Sequence, residues 1–223
     1  MASWLTLVTG EPYQPARLYY QLVGKVDDLR DRFSQLDCIV PGNRKGQWLW
    51  QFEAEAKRLR FERLYRQLKL EERPVTLGQF EISAEQVTLT VLSFDRLLQA
   101  VPFWDRHISR EIMQARKMHL VNHFFSSGDV KQPLQYKAVE QLLEGDHVGR
   151  SRADEVLAKV EELATLGSDA TERMLEITNF LEAVGQEPRP EVEELPVNFY
   201  EDGIISLEMI LNTRRKEALD SWE

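Results

Sequence analysis

The chain has 223 residues, 43% hydrophobic and 29% charged, the make-up of a globular protein long enough to bury a real core. Its one cysteine, Cys38, excludes an internal disulfide and a multi-cysteine zinc site. Its N-terminus lacks the basic region of a signal peptide, and no apolar run approaches the roughly 20 residues of a membrane helix, so a soluble, cytoplasmic protein is expected.

The net charge of −9 is unevenly spread. Residues 1–131 carry 19 Lys/Arg against 16 Asp/Glu, and residues 132–223 carry 9 against 21. A polyanion would be repelled by the second half, so any nucleic acid would have to meet the first.

Taken in order, Trp4–Val8 reads as a short strand, and Thr9–Pro15 as a turn. Arg17–Val23 alternates Leu18, Tyr20 and Leu22 against Tyr19, Gln21 and Val23, which is strand chemistry. Val26, Leu29, Phe33 and Leu36 then recur at helical spacing, giving an amphipathic helix over Lys25–Asp37. Pro41–Gly46 is a loop, and Trp48, Trp50 and Phe52 alternate as a strand. The stretch 53–70 fits either period: Ala54, Ala56, Leu59 and Phe61 would extend the strand, while Phe61, Leu64, Tyr65 and Leu68 fit one helix face. Its Glu, Arg, Lys, Ala and Leu content favours helix. Val75–Ile82 and Gln86–Leu92 follow as a hairpin.

From Phe94 onward the period becomes 3.6. Phe94, Leu97, Leu98 and Val101 form one face, Pro102 interrupts it, and Trp104, Ile108, Ile112, Ala115 and His119 continue a second helix. Gly128 and Pro133 mark a loop, and Tyr136–Leu143 is a short helix. Ser151 caps a further helix with Asp154 three residues on and a stripe of Ala153, Val156, Leu157, Val160 and Leu163, ended by Gly167. Asp169–Val184 repeats the design with Met174, Ile177, Leu181 and Val184 inward. The acidic stretch 186–203 holds three prolines and reads as an extended connector. Ile204–Trp222 is then a helix, in preference to a hairpin turned at Asp202-Gly203.

The expected fold is α+β: a small, mostly antiparallel sheet with one or two helices in residues 1–93, followed by an all-helical C-terminal half. That half divides into a helical region at 94–185, the connector at 186–203 and a final helix at 204–223.

Three places carry candidate chemistry. His119 and His123 lie four apart on the expected helix, where two imidazoles can share a metal ion, although Leu120 occupies the place of a metalloprotease glutamate. Arg44, Lys45, Trp48, Trp50, Arg58, Arg60 and Arg63 combine cations with aromatics, a pattern suited to nucleic acid, while interleaved glutamates suit a solvated helix with local ion pairs. Ile204, Leu207, Leu211 and Trp222 give the tethered last helix an apolar face for a protein partner.

The segment Leu142–Ala153 also resembles the helix-hairpin-helix motif through Val148, Gly149 and Ala153, with His147 where its first glycine stands. No function is carried over from it. Cys38, flanked by Ile39 and Val40, reads as a buried, inert thiol. No nucleophile elbow, Ser/His/Asp order or isolated carboxylate pair is visible, and no cofactor is called for. The sequence therefore favours a non-enzymatic interaction protein: an adaptor, chaperone or assembly factor. A nucleic-acid-binding protein using 42–69 and a metal-dependent enzyme using His119 and His123 are the alternatives.

Overall fold

The computed structural model describes residues 4–84, 86–129, 136–145, 148–150, 158–163, 169–186 and 189–222. In chain order the elements are β1 (Ala16–Leu22), α1 (Val26–Phe33), β2 (Ile39–Pro41), β3 (Gln47–Gln51), β4 (Thr76–Ile82), β5 (Gln86–Val91), α2 (Phe94–His107), β6 (Met113–Val121), α3 (Tyr136–Leu143), β7 (Val148–Arg150), α4 (Ala170–Gln186), β8 (Val192–Pro196) and α5 (Phe199–Asp220). Residues 158–163 are also helical.

The strands make one eight-stranded sheet in the order β2-β3-β4-β5-β1-β6-β8-β7. Every neighbouring pair is antiparallel except β7 and β8. The protein is α+β as expected, but the sheet is large and mixed, and the expected division at 93/94 falls inside it. Three strands lie in the half expected to be all-helical.

The largest correction is β6. Residues 113–121 are a strand between β1 and β8, not a helix carrying Ile112, Ala115 and His119 on one face. The second is β8: the acidic stretch expected as a connector contributes Val192–Pro196 to the sheet. The third is α2, which runs through Pro102 without ending. Phe94, Leu97, Val101, Phe103 and Trp104 are buried on both sides of the proline, and that burial outweighs the lost backbone hydrogen bond. Ser93 caps the helix, its hydroxyl accepting from the Arg96 N–H at 3.1 Å. The preference for a helix over a hairpin at the C-terminus holds, and Gly203 absorbs a kink inside α5 at φ 73°.

Helices α1, α2 and α5 cover one face of the sheet. Their Leu29, Phe33, Leu97, Trp104, Leu207 and Leu211 pack on Leu18, Phe80, Leu89, Met118 and Leu195. Phe33 is the hub of an aromatic cluster, with ring centroids 5.5 Å from Trp48, 4.9 Å from Phe80 and 5.5 Å from Trp104. Gly78 lets β4 lie close to β5, since a Cβ there would sit 2.8 Å from Leu89 Cδ1.

The opposite face is only partly apolar. Leu7 and Tyr13 from the N-terminal segment and Val139 and Leu143 from α3 pack on Leu92, Val121 and Val192. Beside this patch runs a polar row across five strands, Gln79, Thr90, Arg17, His119 and Glu194, placed side by side by the strand register. Buried polar side chains on a sheet need partners, and these have them.

The helix capped at Ser151 and Asp154, with Ala153, Val156, Leu157 and the Gly167 stop, lies largely outside the described residues, as do Pro133 and His147. Val148–Arg150 pairs as a strand with β8, so this part of the helix-hairpin-helix resemblance does not hold.

Candidate functional site

The stretch 53–72 is neither α-helix nor strand. It folds as three 3₁₀ turns, Ala54–Arg58, Tyr65–Gln67 and Leu70–Glu72. The side chains that read as helix formers bond to backbone instead. Glu55 accepts from the Cys38 N–H at 2.9 Å, Gln67 from Leu64 at 2.6 Å and Glu72 from Lys69 at 2.6 Å. Such local bonds compete with a helix ladder. Phe61 and Tyr65 pack edge-on against Phe52.

These turns sort charges that alternate along the chain. Glu53 accepts from the Tyr65 hydroxyl at 2.7 Å and pairs with Lys57 at 3.0 Å. Glu72 pairs with Arg63 at 2.9 Å. Arg58, Arg60 and Arg66 are exposed, and none forms an ion pair with a described carboxylate. All three, with Lys57, Leu59, Leu64 and Tyr65, line a cavity of about 480 Å³.

The seven residues expected to form one nucleic-acid surface are thus divided. Arg58 and Arg60 face this cavity. Arg63 is paired with Glu72. Trp50 is 0% exposed and Trp48 is half-buried against Phe33, so neither indole is presented for stacking. Arg44 and Lys45 line a different cavity of about 310 Å³, with Glu81, Thr88 and Glu144.

That second cavity opens beside the polar row. Arg44 Nη2 donates to Glu81 at 2.6 Å and to Glu140 at 3.1 Å, and Gln79 Nε2 donates to Glu140 at 3.0 Å. Burial and the neighbouring Glu140 raise the Glu81 carboxyl. This carboxylate pair has no sequence signal, because β4 and α3 bring its members together across 59 positions. Its raised carboxyl is the feature acid/base chemistry would use, and the hydroxyls of Ser83 and Thr88 share the lining of the cavity, that of Ser83 donating to the Gln86 carbonyl at 2.9 Å. Arg17 Nε donates to Thr90 Oγ1 at 2.9 Å, and its guanidinium also meets Glu144.

His119, 7% exposed, sits in this row. Its Nδ1 donates to the Leu143 carbonyl at 2.8 Å, with the Tyr19 hydroxyl 3.0 Å away, and its Nε2 faces Glu194 Oε2 at 2.9 Å. Lys117 Nζ reaches the same carboxylate oxygen at 2.6 Å. Burial raises the Glu194 carboxyl, but hydrogen bonds from Lys117 and His119 outweigh it and the net shift is downward. His123 lies beyond the strand end, 3.8 Å from Glu191 and packed on Phe125. The two histidines therefore do not share a helix face, and among the described residues no group of three or more His, Cys, Asp or Glu side chains is placed to hold a metal ion. His119 instead ties α3 and β8 to β6.

The face of α5 expected to meet a partner is turned inward. Leu207 and Leu211 are each 3% exposed in the main core, Ile204 packs against that core, and Trp222 lies edge-on to Phe124. Helix α4 is the reverse case. Met174, Leu175 and Leu181 are 73%, 62% and 46% exposed, although Met174 and Leu181 were expected to point inward. Among the described residues no helix is long and apolar enough to cross a membrane. The chain matches no protein-family model, no curated protein and no solved structure.

Proposed function

We propose that the protein is a non-enzymatic, cytoplasmic interaction protein, an adaptor, chaperone or assembly factor, which docks through α4. The supporting observation is the exposure of Met174, Leu175 and Leu181 on one 17-residue helix. Exposed apolar side chains grouped on a helix fit the helix-in-groove mode of recognition.

Charge narrows the partner. Helix α4 carries Glu172, Glu176 and Glu182 against Arg173, within a region of 9 Lys/Arg and 21 Asp/Glu. The fitting occupant is another protein with an apolar groove edged by Lys or Arg. Placing a photo-crosslinking residue at Leu175 of the full chain tests this. A single cross-linked partner is expected, with its yield falling when Glu172, Glu176 and Glu182 are changed to lysine. Cross-links from chain to chain, or yields that ignore the charge reversal, would overturn the proposal.

A further inference from the structure

We infer that the cavity formed by the 3₁₀ turns binds the oligophosphate group of a small ligand. The turns gather Lys57, Arg58, Arg60 and Arg66 around one opening, in a chain whose net charge is −9. Clustering like charges is unfavourable unless something compensates it. The five neighbouring glutamates do not do so for the three arginines. Glu53 is taken by Tyr65 and Lys57, Glu55 by the amides of Asp37 and Cys38, Glu72 by Arg63, and Glu71 lies 3.7 Å from Lys69. Glu62 stands next to Gly10 and forms no ion pair with the three arginines.

The cations differ in role. Lys57 is held in place: its Nζ lies 4.6 Å over the Tyr65 ring, and Glu53 and Tyr65 raise its pKa, keeping it charged. Arg73 covers Tyr65 at 4.1 Å, so that ring anchors cations and does not stack a base. Arg58, Arg60 and Arg66 retain guanidinium forks able to hold phosphate oxygens in pairs. Leu59 and Leu64, both half-buried, supply an apolar wall.

Size and surroundings favour a compact ligand over a nucleic-acid strand. The cavity volume of about 480 Å³ lies in the range of about 300–1,000 Å³ typical of small-molecule sites. Glu62, exposed and in no ion pair with a described cation, lies two positions after Arg60 and would repel the next phosphates of a long polyanion.

The test is calorimetric titration of the full chain with inorganic triphosphate, ATP and a thymidine oligonucleotide, each at low and moderate salt. The comparison is an Arg58→Gln/Arg60→Gln/Arg66→Gln variant, whose exposed positions leave the core intact, with circular dichroism as the check on folding. Saturable binding of triphosphate or ATP is expected, weakened about tenfold or more in the variant. Tighter binding of ATP would show that its body uses Leu59 and Leu64, and equal binding that the phosphates suffice; both support the site. No saturable binding of either, affinity unchanged in the folded variant, or tighter and steeply salt-dependent binding of the oligonucleotide would each overturn it. The result is independent of docking through α4.

Discussion

Replacing Arg96 with methionine would leave the Glu11 carboxylate buried at the entry to α2 without its cation. Arg96 Nε lies 2.7 Å from Glu11 Oε1, and both side chains are 2% exposed. The same guanidinium donates to Thr9 Oγ1 at 2.9 Å and to the Thr76 carbonyl at 3.0 Å. It thereby joins the N-terminal turn, the start of β4 and the first turn of α2. Methionine keeps much of the arginine stem's volume, so the cavity contribution is small. What remains is an uncompensated buried charge, still accepting from the Thr9 hydroxyl at 2.7 Å. Breaking a buried pair from one side costs about 3–5 kcal/mol, a large part of the roughly 5–15 kcal/mol by which a typical domain is stable. Urea unfolding followed by tryptophan fluorescence measures it, since Trp50 and Trp104 lie in the core. A Glu11→Met/Arg96→Met double variant removes both charges and should lose less than the two single variants together. A loss below about 1 kcal/mol for Arg96→Met, the scale of an exposed pair, or strict additivity in the double variant would refute the reasoning.

Two further outcomes follow from the same region. Burial, with Glu55 beside it, pushes the Cys38 thiol up to about 12, so the native protein should not react with an aromatic disulfide reagent at mildly alkaline pH, while the urea-unfolded chain should react fully; fast labelling of the native state would contradict this. For Glu72, hydrogen bonds from Arg63 and the Lys69 amide lower the carboxyl to about 2. Because the folded value lies below the ordinary one of 4.5, the contribution to the turn is present above that pH and is lost as pH falls toward 2. The Glu72 carboxyl resonance and exchange of the Lys69 amide should report that loss, and a midpoint at or above the ordinary value would refute it.

The first half of the sheet was legible because its chemistry is local. Val87, Leu89 and Val91 alternate inside β5 and are all buried, and Leu29 and Phe33 mark the buried face of α1 at helical spacing. The β6 strand was not legible, and the pairing shows why. The register with β1 slips between Tyr19 and Tyr20, so that Tyr19 faces Lys117 while Tyr20 faces Ala115, leaving Arg116 as the extra residue of a β-bulge. Buried positions on the core face therefore fall at Met113, Ala115, Met118 and Leu120. One step of three among steps of two imitates a helix, and Ile108 and Ile112 ahead of it complete the imitation. A bulge is thus a phase error that a periodicity argument absorbs as a change of period.

Charge misled in a related way. Acidic β8 looked like a solvated connector, yet Glu193 is buried and meets Arg214 at 2.6 Å, and Glu194 meets Lys117 and His119. Those partners lie on α5 and β6, 20 or more positions away. The interleaved charges of 53–72 posed the same problem. Alternating signs suggested mutual neutralisation along a helix, but folding into turns sent the glutamates to backbone amides, Tyr65, Lys57 and Arg63 and left three arginines around the cavity. A composition argument counts charges, whereas a site depends on which of them the fold leaves unmatched. That is why the expected nucleic-acid surface separated into a core tryptophan, an ion pair and two cavities, and why Arg58, Arg60 and Arg66 are the residues whose replacement tests what the region binds.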